Sequence, residues 1–197
     1  MKESGESLGT IFFRQSPQEC ARKLIGCSLA SGECAGVIVE TEAYAAEGDE
    51  ACHTFFRPSA RQFLSDHAEG TTYVYLNYGI HWLLNFVVKG SNGDGFVLIR
   101  ALSPIKGLRQ MRRRRGRKRQ AELCSGPGKL TQALGISGEM HGMSLTPRSD
   151  ISLSWGPVSE VPPPVACRRV GISREIERKW RFVRAGSRCL SVRPGSE

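Results

Sequence analysis

The chain has 197 residues, 40% of them hydrophobic, and a formal net charge of +9. This length supports one good-sized hydrophobic core in a single domain. The apolar runs are too short to cross a bilayer, and the polar first nine residues do not resemble a secretory signal. We therefore expect no membrane partner and a place in the cytoplasm, near the nucleoid, or in the nucleus of a eukaryote. The seven cysteines are odd in number and contain no CxxC pair, which argues against both a disulfide scaffold and a zinc site.

Acidic and basic residues are segregated along the chain. Six acids and no basic residue lie between Lys23 and Arg57, whereas residues 101–121 contain nine basic residues and no acid. A second basic segment runs from Arg168 to Arg193. Because arginine is favoured for phosphate contacts, this pattern predicts binding to a polyanion. The alternative is a solvated basic loop that aids solubility.

The first predicted element is a helix that begins at Pro17. Ser16 is suited to its N-cap, Glu19 completes a capping box, and Gly26 is the expected stop. A strand from Gly36 follows. Residues 45–70 lack clear periodicity and are predicted to form a long irregular segment, which in a compact domain often has a function.

The strand from Gly36 contains two acids near its end. Side chains alternate along a strand, so Ile38, Glu40, Glu42 and Tyr44 are predicted to share one face, with the two carboxylates about 7 Å apart. Two acids and an aromatic ring could form the floor of a site. The alternative is that both acids emerge into water as the strand leaves the core.

A β-hairpin is predicted where two β-rich runs flank residues 77–80, with Gly79 supplying a positive φ. Tyr78 at its tip is unusual, because an exposed aromatic ring reduces solubility unless it inserts into something. In a basic protein the natural receiver is a stack of DNA bases. The alternative is that Tyr78 folds back on Trp82 as a cross-strand pair.

The rest of the chain predicts a third strand over 96–102 and a helix capped by Ser103-Pro104 that leads into the arginine run. A further helix has Lys129 in its first turn, and a short strand lies near Ile151. Strands and helices mix without βαβ alternation, which favours an α+β fold. We expect a flexible N-terminal segment, 1–10, and one domain, 11–193. The domain should contain a curved, mostly antiparallel sheet flanked by helices and a protruding β-hairpin.

A base that leaves a duplex needs a pocket between aromatic or apolar surfaces. Tyr44, His53 and Tyr75 could supply such surfaces, although each could equally be satisfied within the fold. A carboxylate beside the pocket could activate water as a general base. The sequence contains no common metal-binding motif, so we expect neither a metal nor an organic cofactor.

Six segments, in order and with sensible spacing, resemble the alkyladenine (3-methyladenine) DNA glycosylase family. They are Val39-Glu40-Thr41-Glu42-Ala43-Tyr44 with Asp49-Glu50-Ala51-Cys52-His53, Tyr73-Val74-Tyr75-Leu76-Asn77-Tyr78-Gly79, Leu98-Ile99-Arg100-Ala101, Cys124-Ser125-Gly126-Pro127-Gly128-Lys129-Leu130 and Trp180-Arg181-Phe182. The resemblance runs from about Phe12 to Val192. It implies a monomeric, monofunctional enzyme that flips alkylated or deaminated purines out of double-stranded DNA and hydrolyses the N-glycosidic bond. The substrates would be of the 3-methyladenine, 7-methylguanine, hypoxanthine and ethenoadenine class.

The resemblance also implies roles for individual residues. Glu42 would be the general base, and Arg100 would hold Glu42 and the attacking water. The flipped base would be contacted by Tyr44, His53, Tyr75 and Asn85, and Tyr78 would fill the gap in the duplex. Contacts with the DNA backbone are expected from Arg61, Lys129, Arg112 and Arg113.

The chain departs from the family pattern in one loop and at the hairpin. Ser59-Ala60-Arg61-Gln62 stands where Thr-Pro-Arg-Asn is usual, and Ile80 stands where Met is common. These changes leave the catalytic set intact but put the backbone contacts of the loop and the substrate range in question. Two other functions remain open: a metal-dependent nuclease with Glu40 and Glu42 as ligands, and a non-catalytic nucleic-acid-binding module.

Overall fold

The computed structural model describes residues 5–146, 149–156 and 162–196. The strands in these residues are β1 (Ser28–Ser31), β2 (Cys34–Ala45), β3 (Thr72–Asn77), β4 (His81–Gly90), β5 (Gly93–Lys106), β6 (Ile151–Ser154), β7 (Val165–Cys167) and β8 (Arg181–Val183). The α-helices are α1 (Pro17–Leu24), α2 (His53–Phe56), α3 (Pro58–Asp66), α4 (Leu108–Arg115) and α5 (Pro127–Leu134).

The strands form one antiparallel sheet in the order β3-β4-β5-β2-β1-β6. The long strand β2 pairs with β5 along one side. Its other side pairs first with β1 and then with β8, which also pairs with β7. The predicted α+β fold, with its curved antiparallel sheet and hairpin, is confirmed.

The two faces of the sheet have different neighbours. On one face, Leu84, Phe86 and Ile99 join the main core with side chains of α1, α4 and α5. The alternate residues of the same strands, including Leu83 and Leu98, face a cavity instead. Three helices therefore lie on one side of the sheet and the cavity on the other.

The predicted start of α1 is confirmed in detail. The backbone N–H of Glu19 donates to Ser16 Oγ over 3.3 Å, and the Glu19 carboxylate accepts from the Ser16 backbone N–H, which completes the capping box. The helix ends at Leu24, and Gly26 follows with φ at +93°.

Two predicted local structures are wrong. Residues 45–70 are not irregular throughout, because α2 and α3 lie within them and Pro58 begins α3. The Ser103-Pro104 pair does not cap a helix, because β5 continues to Lys106 and Pro104 pairs with Gly36 across the ladder. The helix begins only after Gly107, which adopts a left-handed conformation with φ at +73°.

A β-bulge corrects the predicted face of Ile38. Register shifts flank Glu40 where β2 pairs with β5. Val39 and Glu40 both contact the C-terminal segment around residues 189–191, whereas Ile38 packs into the main core. A bulge puts two successive side chains on one face, so Ile38 does not share the face of Glu40.

The described N-terminal residues lie along β6. The N–H of Gly5 donates to the carbonyl of Trp155 over 3.0 Å, and Leu8 is buried and donates to Leu153 over 2.9 Å. This part of the segment expected to be flexible thus packs on the fold, and the domain bounds 11–193 stay a prediction. All seven cysteines are buried thiols. In the described residues, none of the helices has the length and apolarity needed to cross a bilayer.

Candidate active site

A cavity of about 560 Å³ opens on the face of the sheet away from α1, α4 and α5. This volume lies within the range of small-molecule sites. The strands, the turn between β3 and β4, and α2 supply Tyr44, His53, Phe55, Phe56, Tyr73, Tyr75, Tyr78, Leu83, Asn85, Phe96, Leu98 and Arg100, and the segment after β7 supplies residues 170–174. The structure thus brings together five predicted site residues and Tyr78 of the hairpin tip; the five are Tyr44, His53, Tyr75, Asn85 and Arg100.

We define the inner end of this cavity as Glu42, Tyr44, Arg100 and Val170. Glu42 is fully buried, and its three neighbours form the wall in front of it. Its Oε1 accepts from the Val170 N–H over 2.7 Å. Its Oε2 accepts from Tyr44 Oη over 2.8 Å and from Arg100 Nη1 over 3.1 Å. A carboxylate has about four lone-pair sites, so one acceptor position on Oε1 is left for a further donor.

Glu40 has a different environment although it is equally buried. Its Oε1 accepts from Arg100 Nε, Arg181 Nε and Ser191 Oγ, over 3.0, 2.8 and 2.6 Å. Its Oε2 accepts from the Ser191 N–H over 2.6 Å. Of these three donor residues only Arg100 lines the cavity, so Glu40 faces the C-terminal segment and not the cavity.

Arg100 joins the two acids, with its Nε on Glu40 and its Nη1 on Glu42. Burial opposes the charged form of Arg100, but the Glu42 and Glu40 carboxylates outweigh it and raise the pKa of the guanidinium. Arg181 supplies a second buried guanidinium to Glu40. Two carboxylates are therefore balanced by two guanidinium groups, which satisfies the requirement that buried charges be paired.

A second buried ion pair supports the wall beside Tyr44. Both Nη atoms of Arg169 donate to Asp49, over 2.7 and 2.8 Å, and Nη1 also donates to the Ala43 carbonyl. The guanidinium lies 4.7 Å from the centre of the Tyr44 ring. Burial raises the pKa of Tyr44 well above its ordinary value, helped by the Glu42 charge, so Tyr44 is a neutral hydroxyl donor to Glu42.

One wall of the cavity is aromatic. The ring centres of His53 and Tyr75 are 4.4 Å apart, and His53 Nδ1 lies 3.1 Å from Tyr73 Oη. Burial, and to a smaller extent the charge of Arg57, lower the pKa of His53 to about 4. His53 is therefore neutral near pH 7. Because His53 and Tyr75 touch each other, they can only line the same side of a bound group.

Asn85 projects from β4 into the cavity and is nearly buried. Its Nδ2 donates to the backbone carbonyl of Tyr73 over 3.1 Å, across the β3–β4 ladder. This bond fixes the orientation of the amide, so Asn85 presents a polar group of defined direction to the cavity.

The rim of the cavity, defined as Phe55, Phe56 and Tyr78, is exposed. Tyr78 is 85% exposed at the hairpin tip, so it does not fold back on Trp82. Gly79 has the predicted positive φ, at +69°, and Tyr78 also has a positive φ, at +50°. This conformation is an outlier for a bulky residue and marks local strain at the tip. At the base of the hairpin, a Cβ on Gly128 would lie 2.8 Å from His81, so only glycine lets α5 approach this closely.

The residues expected to contact the DNA backbone lie in three places. Lys129 is in the first turn of α5, whose Pro127 reaches the cavity. Arg61, in α3, donates to the Thr54 carbonyl in α2 over 2.6 Å. Arg112 and Arg113 are exposed on α4, on the other side of the sheet from the cavity.

The sequence predicted no role in the site for several residues that the structure places there. Arg169 and Arg181 belong to a basic segment that predicted polyanion binding, yet both are buried against acids. Val170 and Ser191 contribute backbone N–H groups, which any residue except proline has. Only Tyr73 had a usable signal, because it lies two residues before Tyr75 on the same strand face.

Comparison with known proteins agrees with this geometry. The family model described as methylpurine-DNA glycosylase (MPG) matches residues 11–188. A protein of Rubrobacter xylanophilus, provisionally named a 3-methyladenine DNA glycosylase, is 45% identical over 87% of this chain and 90% of its own. Proteins of the same provisional name from Nitrosospira multiformis and Rhodopseudomonas palustris are 43% and 41% identical, over 92% and 95% of this chain and 92% and 89% of theirs.

Proposed function

The chain belongs to the methylpurine-DNA glycosylase family, and from this premise we propose that it excises alkylated and deaminated purines from double-stranded DNA. The substrate class is that of 3-methyladenine, 7-methylguanine, hypoxanthine and ethenoadenine. The relatives named above support the methylated substrates. The cavity supports a purine-sized ligand, because its volume and aromatic wall suit a flat base.

The substrate enters the cavity by base flipping. His53 and Tyr75 lie on one side of the flipped base, and Tyr44 lies on the other side. The fixed amide of Asn85 meets the purine edge and disfavours the exocyclic amine of normal guanine. Tyr78 fills the gap in the duplex, which the exposure of its ring supports.

The chemical step uses a water molecule that donates to the open acceptor position on Glu42 Oε1. The water oxygen forms a bond to C1′ while the bond from C1′ to the base nitrogen breaks, and its electron pair leaves with the base. Glu42 takes the proton of the water as general base. Arg100 holds Glu42 in place through the hydrogen bond that its Nη1 donates. The products are a free base and an intact strand with an abasic site.

The observation that carries this proposal is the contrast in surroundings between the two acids. All three donor residues of Glu42 line the cavity, whereas of the donor residues of Glu40 only Arg100 does. The same geometry disfavours a metal-dependent nuclease, because the Arg100 guanidinium occupies the space between Glu40 and Glu42 and repels a cation.

DNA binding beside the site is assigned to Lys129 at the start of α5 and to Arg61, whose hydrogen bond to Thr54 attaches α3 to α2. The enzyme acts as a monomer, without metal or organic cofactor, on chromosomal DNA in the cytoplasm. The bacterial origin of the named relatives supports this location.

The test is release of free base from alkylated duplex DNA, followed by chromatography, with and without EDTA. We expect base release that is indifferent to EDTA and leaves the strand unbroken. Loss of activity in EDTA together with strand cleavage would support the nuclease. Binding to damaged and undamaged DNA without any released base would support a non-catalytic module.

A further inference from the structure

The arginine run of α4 is isolated from the cavity on two grounds. First, Met111 of α4 packs into the core on the opposite face of the sheet from the cavity. Second, Arg114 contacts Cys34 at the start of β2, whereas Tyr44 lies at the cavity ten residues further along this strand. At a rise of roughly 3.3 Å per residue, the two positions are at most about 33 Å apart along the strand. A straight duplex seated over the cavity therefore leaves α4 free.

The four consecutive arginines of α4 divide into two pairs. Arg114 Nη1 donates to the Ala133 carbonyl over 3.0 Å, and Arg115 Nε donates to the Leu123 carbonyl over 3.1 Å. These two arginines attach α4 to α5 and its leading loop. Arg112 donates its Nε to the Lys118 carbonyl of the following loop over 3.2 Å, but Arg112 and Arg113 are both exposed. Helical spacing groups them with Arg109 in one exposed stripe. We call this stripe, Arg109, Arg112 and Arg113, the α4 surface.

The charge of the α4 surface has no counterpart nearby. Among the described residues, Arg119 is the one basic residue of segment 106–119 that forms an ion pair, with Glu122 over 3.6 Å. Basic residues near a helix C-terminus stabilise its dipole, which would account for Arg112 and Arg113 alone. Arg109, however, lies in the first turn, where a positive charge opposes the dipole. Helix stability therefore does not explain the stripe.

We propose that the α4 surface is a second DNA-binding site, which holds the phosphate backbone of another duplex segment while the cavity side holds the first. The inference rests on the proposed function for the identity of the polyanion. Three neighbouring guanidinium groups without acidic partners suit consecutive phosphates and read no sequence. Such a site would let the enzyme pass directly from one duplex segment to another during its search for lesions.

The experiment follows the release of a labelled lesion-containing duplex while an unlabelled, undamaged duplex is added at rising concentration. Direct transfer makes the release rate increase with competitor concentration, because the second duplex binds before the first leaves. In Arg112→Ser/Arg113→Ser we expect this dependence to be largely lost. The slope of log affinity for the second duplex against log salt should fall by about 1.8, the value for two lost phosphate contacts.

The matched control is Arg22→Ser/Lys23→Ser, which removes the same charge from the exposed last turn of α1. It should keep the transfer. Base release from a lesion duplex of about 12 base pairs, one helical turn, should be unchanged in both variants. Equal loss of transfer in the control, unchanged transfer in the α4 variant, or impaired release from the short duplex in that variant would overturn the inference.

The two proposals fail separately. If the wild-type protein releases no base from alkylated DNA, the proposed function is wrong, but binding of two undamaged duplexes carrying different dyes still tests the α4 surface. Simultaneous binding of both dyes that the Arg112→Ser/Arg113→Ser variant loses supports the second site. Binding of only one duplex per molecule overturns it.

Discussion

The inner end of the cavity and its rim are built in opposite ways. At the inner end, Glu42 and Arg100 are buried and hydrogen-bonded to each other and to partners from distant parts of the chain. At the rim, the rings of Phe55, Phe56 and Tyr78 are at least half exposed. A rigid, charged interior suits chemistry at fixed positions, and exposed rings suit a surface that gains contacts only when DNA arrives. Changes at the inner end should therefore alter chemistry and stability, and changes at the rim should alter DNA engagement alone.

The strongest test of the inner end is Glu42→Gln. The amide keeps the shape of the side chain but cannot accept a proton from water. Base release under single-turnover conditions should fall by roughly 10²- to 10⁴-fold, the scale of general-base catalysis, while damaged DNA still binds. If Glu40→Gln were inactive and Glu42→Gln fully active, the assignment of the two acids would be reversed.

Glu40→Gln tests the other acid through stability. The amide leaves the buried Arg100 and Arg181 with a single carboxylate between them, and breaking a buried pair costs about 3 kcal/mol or more. Urea unfolding at pH 7 should show a loss of that size. The control is Glu42→Gln, which should cost less because Glu42 contacts one arginine and Glu40 contacts two. Equal losses in the two variants would contradict the structural role of Glu40.

The rim was more predictable from sequence than the inner end, for a physical reason. The hairpin and its exposed Tyr78 follow from local turn chemistry within a few residues. The environments of Glu40 and Glu42 depend on groups more than 125 residues away, including Val170 and Ser191. Spacing alone made the two acids equivalent, and only the family resemblance favoured Glu42.

Charge was the least readable feature. A buried arginine that neutralises an acid and an exposed arginine that binds phosphate are the same letter in the sequence. Arg181 and Arg113 therefore supported one prediction of polyanion binding, although their surroundings differ completely. The β-bulge at Glu40 was equally invisible, because no glycine or proline marks it, and it misplaced Ile38.

His53 connects the buried wall to pH. Its pKa of about 4 in the folded state lies below the ordinary value of 6.5, so the unfolded chain binds this proton first as pH falls. The free energy of unfolding should therefore decrease as pH falls from 6.5 towards 4. The decrease is at most about 3 kcal/mol, and solvent screening of the partly exposed ring makes it smaller. As pH falls over this range, the free energy of unfolding should decrease more for the wild type than for His53→Gln. Parallel curves would mean that His53 is not the group responsible.

The smallest change in stability is expected at the rim, for Tyr78→Ser. An exposed turn residue rarely contributes more than about 0.5 kcal/mol, so the melting temperature should hardly move. The flipped population should nevertheless fall, because unstacking costs a few kcal/mol and an inserted ring recovers part of it. A fluorescent base analogue beside the lesion reports this population directly.

The dependence on the duplex makes the Tyr78→Ser test specific. The loss of flipping should be largest for a lesion in a stable, well-paired duplex and smallest in mismatched or single-stranded DNA, where little unstacking remains. Tyr78→Phe serves as the control, because it keeps the ring and should keep the flipped state. If Tyr78→Ser instead lowers the melting temperature clearly while flipping and base release stay intact, the ring stabilises the fold. The contrast between a rim built for DNA and an interior built for chemistry then fails at its most exposed residue.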